Sequence, residues 1–173
     1  MKRKRIVQQL GGGDRRSIGK ADAVAAQVLK DLRRSKELIQ CLWSDDPIVR
    51  MRAADAVEKV SRKYPEALQP FKVELLGLLS EATQQELRWH LAQMIPRLEL
   101  SEKERHRAAE AFRDYLNDRS SIVKTFAIQA LADLARDDGS LRPEVRALVE
   151  THIRSGTAAM RARCRKLMKQ FGA

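Results

Sequence analysis

Several residue types are scarce enough to exclude familiar classes. Two cysteines in 173 residues, Cys41 and Cys164, are too few for a disulfide framework and suit buried thiols in a reducing compartment. Eight glycines and five prolines exclude a collagen-like or linker-dominated chain. Aromatic residues make up only 5%. No apolar run approaches the roughly 18 residues that a membrane-spanning helix needs. What is present, 43% hydrophobic and 33% charged residues, is the composition of a folded chain and not a disordered one. At this length one cooperative unit or a short array is expected.

Negative charge is scarce at both ends. Residues 1–20 hold seven bases against Asp14, and residues 154–173 hold six bases and no acid, while the body between carries 21 bases and 22 acids. The net charge of +11 therefore belongs to the two ends of a nearly neutral molecule, and basic ends attract phosphate polymers and acidic surfaces. The Lys2-Arg3-Lys4-Arg5 run is not followed by the apolar core of a secretory signal, because Gln8 and Gln9 interrupt after Ile6-Val7. A nuclear address and a nonspecific basic arm both remain open. With no export signal and reduced cysteines, the expected location is cytoplasmic. Ile6, Val7 and Leu10 have helical spacing, so a basic arm over residues 1–19 is expected to include a short helical turn. Gly11-Gly12-Gly13 then breaks the chain before Ser17, one residue type that can open a helix.

The strongest pattern is a self-similarity of 36 to 38 residues. Four segments start at Val49, Leu87, Val123 and Met160. Four residues on stand Ala53, Leu91, Ala127 and Cys164; seven on, Ala56, Met94, Ala130 and Leu167. Eight on come Val57, Ile95, Leu131 and Met168, and eleven on Val60, Leu98, Leu134 and Phe171. All twenty positions are apolar or cysteine. At about 100° per residue they fall within one arc of a helix, whereas a strand would split them between two faces. Each segment follows another apolar-striped stretch: Leu38, Ile39 and Leu42; Leu75, Leu76 and Leu79; Phe112, Tyr115 and Leu116; Leu148, Val149 and Ile153. Asp46-Pro47 is an N-cap before a first-turn proline, Ser101 with Glu104 is a capping box, Pro143 and Thr157 suit two further starts, and Tyr64-Pro65 is a stop. Pro96 should bend or shorten its helix. The expected architecture is all-α: a right-handed α-solenoid of about four helical hairpins (residues 36–64, 70–98, 102–136 and 142–171) behind an amino-terminal cap helix over 20–34, with residues 20–173 forming one domain.

The stretches Asp46-Pro47-Ile48-Val49-Arg50-Met51-Arg52-Ala53-Ala54-Asp55-Ala56-Val57 and Asn117 to Leu131 carry an Asp, a few residues, Val-Arg or Val-Lys, then spaced alanines and a Leu. This pattern resembles the second helix of HEAT repeats. The resemblance covers roughly residues 36–171, with the second and fourth repeats matching more loosely. It implies a scaffold fold, since HEAT proteins are mostly interaction scaffolds and only occasionally nucleic-acid binders or enzymes.

The residue after each segment start is basic: Arg50, Arg88, Lys124 and Arg161. A ladder of phosphate contacts is one reading. In HEAT arrays this residue commonly bridges to an Asp near the helix start, as Asp45 or Asp46 and Asp118 permit here; Arg161 has no such Asp and is the better candidate for an external anion. Positions two, six and nine lie opposite the buried arc and should point outward. They run Met51, Trp89, Thr125, Ala162; Asp55, Gln93, Gln129, Lys166; and Glu58, Pro96, Ala132, Lys169. The gradient from acidic to basic favours a protein or peptide partner over an extended duplex. The candidate partner-binding residues are Met51, Trp89, Gln93, Thr125 and Gln129, with Trp89 as the anchor. The alternative is a phosphate-backbone grip by Arg161, Arg163, Arg165, Lys166 and Lys169 at one end and Lys2, Arg3, Lys4 and Arg5 at the other. Trp43 is expected to cap a hydrophobic seam, and His90, whose position three is held by Arg52 and Arg163 in other repeats, is expected to be a surface polar group.

No catalytic constellation stands out. The resemblance extends to HEAT-fold DNA glycosylases, which place a catalytic Asp one turn after a Trp; here Gln93 follows Trp89 at that spacing and supplies no carboxylate. Nothing local supports the bilin chemistry of other HEAT-like proteins. His90, His106 and His152 are far apart in sequence, without a metal-ligand spacing. The glycine run lacks the Gly-Lys-Ser/Thr ending of a phosphate loop. The expectation is a non-enzymatic protein without cofactor or metal.

Overall fold

The computed structural model describes residues 5–14 and 16–172. Helices are joined by short turns, and no strand occurs among the described residues. No helix among them is long and apolar enough to cross a membrane. They divide into two units, Met1–Glu74 and Leu75–Ala173.

The first unit contains α1 (Ile6–Leu10), α2 (Ala21–Lys30), α3 (Ser35–Gln40) and α4 (Pro47–Ser61). α4 begins at the expected cap: the Asp46 side chain accepts the Ile48 N–H at 2.8 Å, with Pro47 in the first turn. α1, α2 and α3 all pack on α4. Ile6 and Leu10 are fully buried, so the amino-terminal turn of helix is part of the core. Its first N–H, from Ile6, donates to the Glu37 carboxylate at 2.6 Å. Beyond it the chain is gathered by one side chain. The Arg52 guanidinium, 3% exposed, donates to the main-chain carbonyls of Leu10 (2.8 Å), Gly12 (2.5 Å), Asp14 (2.9 Å) and Ser17 (3.0 Å). Arg52 is thus a buried clamp and not the surface group its position suggests. Ser17 does not start a helix either. Its hydroxyl accepts the Gly19 N–H at 3.0 Å, and Gly19 has φ +54°, a left-handed turn that postpones the helix to Ala21.

The boundary between the units falls in α5 (Lys72–Glu81). The second unit continues with α6 (Gln85–Met94), α7 (Glu102–Tyr115), α8 (Ser121–Asp137), α9 (Arg142–Ser155) and α10 (Ala158–Phe171). α8 is its axis, packed against α6, α7, α9 and α10. The cap residues behave as their chemistry requires. Ser101 and Glu104 form a reciprocal capping box, and Thr157 accepts the Met160 N–H at 3.3 Å. α6 stops at Met94, and Ile95–Arg97 tightens into a 3-10 turn, because Pro96 offers no N–H and its ring clashes with an α-helical carbonyl.

Eighteen of the twenty stripe positions are buried; only Met168 and Phe171, on the last turns of α10, are half-buried. Each fully buried Leu or Val side chain contributes about 1.5–3 kcal/mol over leaving it in water, so this stripe adds substantially to cohesion within each unit. Two positions expected to face outward are buried as well, Glu58 at 1% exposure and Ala132. Both sit on helices with neighbours on more than one side, and the Glu58 carboxylate is held by Arg62 at 2.7 Å.

Candidate binding site

Three of the four basic residues that follow the segment starts have an internal task. Arg50 Nη1 donates to the carbonyls of Ser44 (2.6 Å) and Asp45 (3.2 Å). Arg88 Nε donates to the Ala82 carbonyl at 2.6 Å, and Arg161 Nη1 to the Gly156 carbonyl at 3.1 Å. In each case the base folds back five or six residues and closes the turn that precedes its helix, where carbonyls lack helical partners. Lys124 stands in the field of Asp118, six residues before it. Asp118 is itself bound by Arg88 Nη1 of α6 at 2.5 Å. The same Arg88 lies 4.9 Å from the centre of the Tyr115 ring, and the buried Tyr115 hydroxyl donates to the Leu79 carbonyl at 2.6 Å. Arg50, Arg88 and Arg161 are each engaged with a turn carbonyl, so three of the four bases do not stand free as a phosphate ladder.

In the second unit α6 and α10 both pack on α8. Four of the five candidate partner-binding residues lie on this trio, all half-buried: Trp89 and Gln93 on α6, Thr125 and Gln129 on α8. The fifth, Met51, is half-buried on α4 in the first unit. Gln129 joins two helices, accepting from Arg163 Nη1 of α10 at 3.1 Å while donating to Asp133 at 3.0 Å. Arg163 also lies 6.0 Å from the centre of the Phe126 ring. Burial raises the pKa of the Asp133 carboxyl against the pull of Arg136 and the Gln129 amide. Gln93 donates to the Trp89 carbonyl at 3.2 Å, and the Thr125 hydroxyl to that of Ser121 at 2.7 Å.

Trp89 is less open than its position suggests, because its indole N–H donates to His90 Nε2 at 3.3 Å. His90 is 8% exposed, which corrects its reading as a surface group. Its Nδ1 stands 2.6 Å from the Glu86 carbonyl; a proton on Nδ1 satisfies that contact and leaves Nε2 to accept from Trp89. Trp43 departs in the opposite sense. It is 45% exposed, because Cys41 and Leu42 fill the seam and the 3-10 turn Cys41–Trp43 rotates the next side chain outward.

Among the basic residues of α10, Arg165, Lys166 and Lys169 are exposed, with no hydrogen-bond or ion-pair partner among the described residues. Arg161 and Arg163 are half-buried and engaged as above. Arg5 is the exposed residue preceding α1; Lys2, Arg3 and Lys4 lie outside the described residues.

Ser140, His106 and Asp138 meet between α7 and the turn before α9, in a composition that invites comparison with a nucleophile relay. Ser140 Oγ (3.3 Å) and Asp138 Oδ2 (3.1 Å) both face His106 Nε2, and the Ser140 hydroxyl donates to Asp138 Oδ1 at 2.6 Å. A relay needs the nucleophile and the orienting acid on opposite ring nitrogens of the histidine, so this cluster pins the turn instead. Both thiols are buried. Burial and then the Glu37 charge push the Cys41 pKa up to about 11, and burial raises that of Cys164, which keeps both as poor nucleophiles. Among the described residues no group of three or more His, Cys, Asp or Glu is placed to hold a metal ion.

Sequence reasoning missed the Arg52 clamp, the turn-closing carbonyl bonds and the exposure of Trp43. The first two use main-chain acceptors, which leave no mark in a sequence. The chain matches no protein-family model and no curated protein.

Proposed function

We propose that the chain is a non-enzymatic binding scaffold of HEAT-repeat type. Its hairpins form a short α-solenoid, and the second helices present a face to a protein or peptide segment. The observation that carries this reading is the row of half-buried polar and aromatic side chains on α6, α8 and α10, linked across helices by the Arg163–Gln129 hydrogen bond. Such a row offers an indole face, amide donors and acceptors, and a guanidinium beside Phe126, the chemistry that interface hot spots use. Met51, half-buried on α4 of the first unit, is a separate candidate contact in this reading. The test is site-specific photo-crosslinking from Gln93 and Thr125, with exposed Glu110 on α7 as the control position. Crosslinked partners are expected from the first two positions and not from the control, with the yield falling in Trp89→Ala. Equal yields at all three positions, or an unchanged yield in Trp89→Ala, would sink the assignment.

A second reading, a phosphate-backbone binder, is favoured by one observation: Arg165, Lys166 and Lys169 stand exposed and unpaired among the described residues on a helix without an acid. It predicts electrostatic binding with little base preference.

A further inference from the structure

The second unit contains a cleft of about 660 Å³ lined by residues from the last turns of α8 and α10 and the first half of α9. Part of its lining is apolar: the buried Ala132 and Ala135, together with Ala147 and Phe171. Three arginines, Arg136, Arg142 and Arg146, line it against one acid, Glu150. The three guanidinium groups are positioned by known contacts. Arg142 donates to the carbonyls of Ala135 (3.1 Å) and Arg136 (3.3 Å), Arg136 to Asp133 (2.8 Å), and Arg146 to Glu150 (3.1 Å). A guanidinium carries five N–H donors, so each keeps donors that no described residue takes up. The one acid is already matched by Arg146. The cleft therefore has an excess of positive charge, oriented donors and an apolar surface, in a volume suited to a small ligand or an anchoring side chain.

We propose that this cleft binds an acidic peptide segment that carries one large apolar side chain. The apolar group seats against the alanines and Phe171, and neighbouring carboxylates meet the arginine forks, whose planar geometry matches a carboxylate in two-point contact. A cleft with part-apolar lining favours an anchored side chain over a phosphate polymer, which gains most from an extended track of like charge. The proposal does not rest on the face formed by Trp89, Gln93, Thr125 and Gln129, so either can fail alone.

The experiment is fluorescence anisotropy with the full chain and three labelled probes of equal charge. The probes are a short Asp/Glu peptide with a central Phe, the same peptide with Ser in its place, and an oligothymidylate. The Phe peptide should bind about tenfold more tightly than the Ser peptide. Ala147→Glu and Arg146→Gln, both at exposed positions of α9, should each weaken it by about fivefold at an unchanged thermal midpoint. Equal affinity for the two peptides, binding indifferent to both substitutions, or a preference for the oligothymidylate would each overturn the proposal.

Discussion

A single guanidinium organises the start of the chain. Arg52 holds four main-chain carbonyls spread over Leu10 to Ser17, and the fit is close enough to constrain its neighbour. A Cβ on Gly19 would stand 2.7 Å from Arg52 Cζ at a φ that disfavours other residues. An ammonium has three donors from one point and cannot span these acceptors. Arg52→Lys should therefore cost about 2–4 kcal/mol in denaturant unfolding, the loss of several charge-assisted bonds in a buried setting. It should also quicken tryptic cleavage at the exposed Arg16. Unchanged stability together with unchanged cleavage would show that the clamp holds nothing. Arg52, His90 and Arg163 share one place in the repeat, and the sequence treats them alike. They diverge because their partners differ: distant carbonyls accept from the first, an adjacent indole donates to the second while a helical carbonyl faces its other nitrogen, and an amide oxygen on α8 accepts from the third.

At the scale of helices, the apolar stripe was legible because its signal is local: residues three or four apart share a face whatever they pack against. The caps were legible for the same reason. What escaped was which polar faces would be covered, as at Glu58 and Ala132, since that depends on neighbours distant in the chain. Arg88 and Asp118 show such a distant link and lead to a pH dependence. Burial pushes the Asp118 pKa up, but the Ser120 N–H, the Arg88 guanidinium and the Lys124 charge outweigh it, so the net shift is downward. A depressed folded pKa means stability that is fully present above the ordinary carboxylate pKa of about 4 and is lost as pH falls through the lower folded value. Asp118→Asn should therefore lower the melting temperature at pH 7 and flatten the acid limb of the stability profile below about pH 4. Solvent screening at this partly exposed pair limits the loss at pH 7 to about 1–2 kcal/mol. Parallel acid limbs for the two proteins would remove Asp118 from the account.

For the whole molecule, a net charge of +11 overstates what is offered to a ligand. Arg50, Arg52, Arg88 and Arg161 all donate to main-chain carbonyls, whereas Arg165, Lys166 and Lys169 have no such partner among the described residues. Single-stranded DNA held by those three bases should lose affinity with salt at a log–log slope of about −2. Replacing all three by Gln should abolish that slope in a salt titration. A slope that survives the replacement would mean that α10 does not grip the strand. The turn-closing bases carry a further lesson for anyone cutting this chain into interchangeable cassettes. Each base and the carbonyl it closes on must travel in the same cassette, so a splice between Ala82 and Arg88, or between Gly156 and Arg161, would separate a latch from its catch. A splice placed ahead of the turn leaves both in one piece, and a transplanted helix then brings its own closure with it.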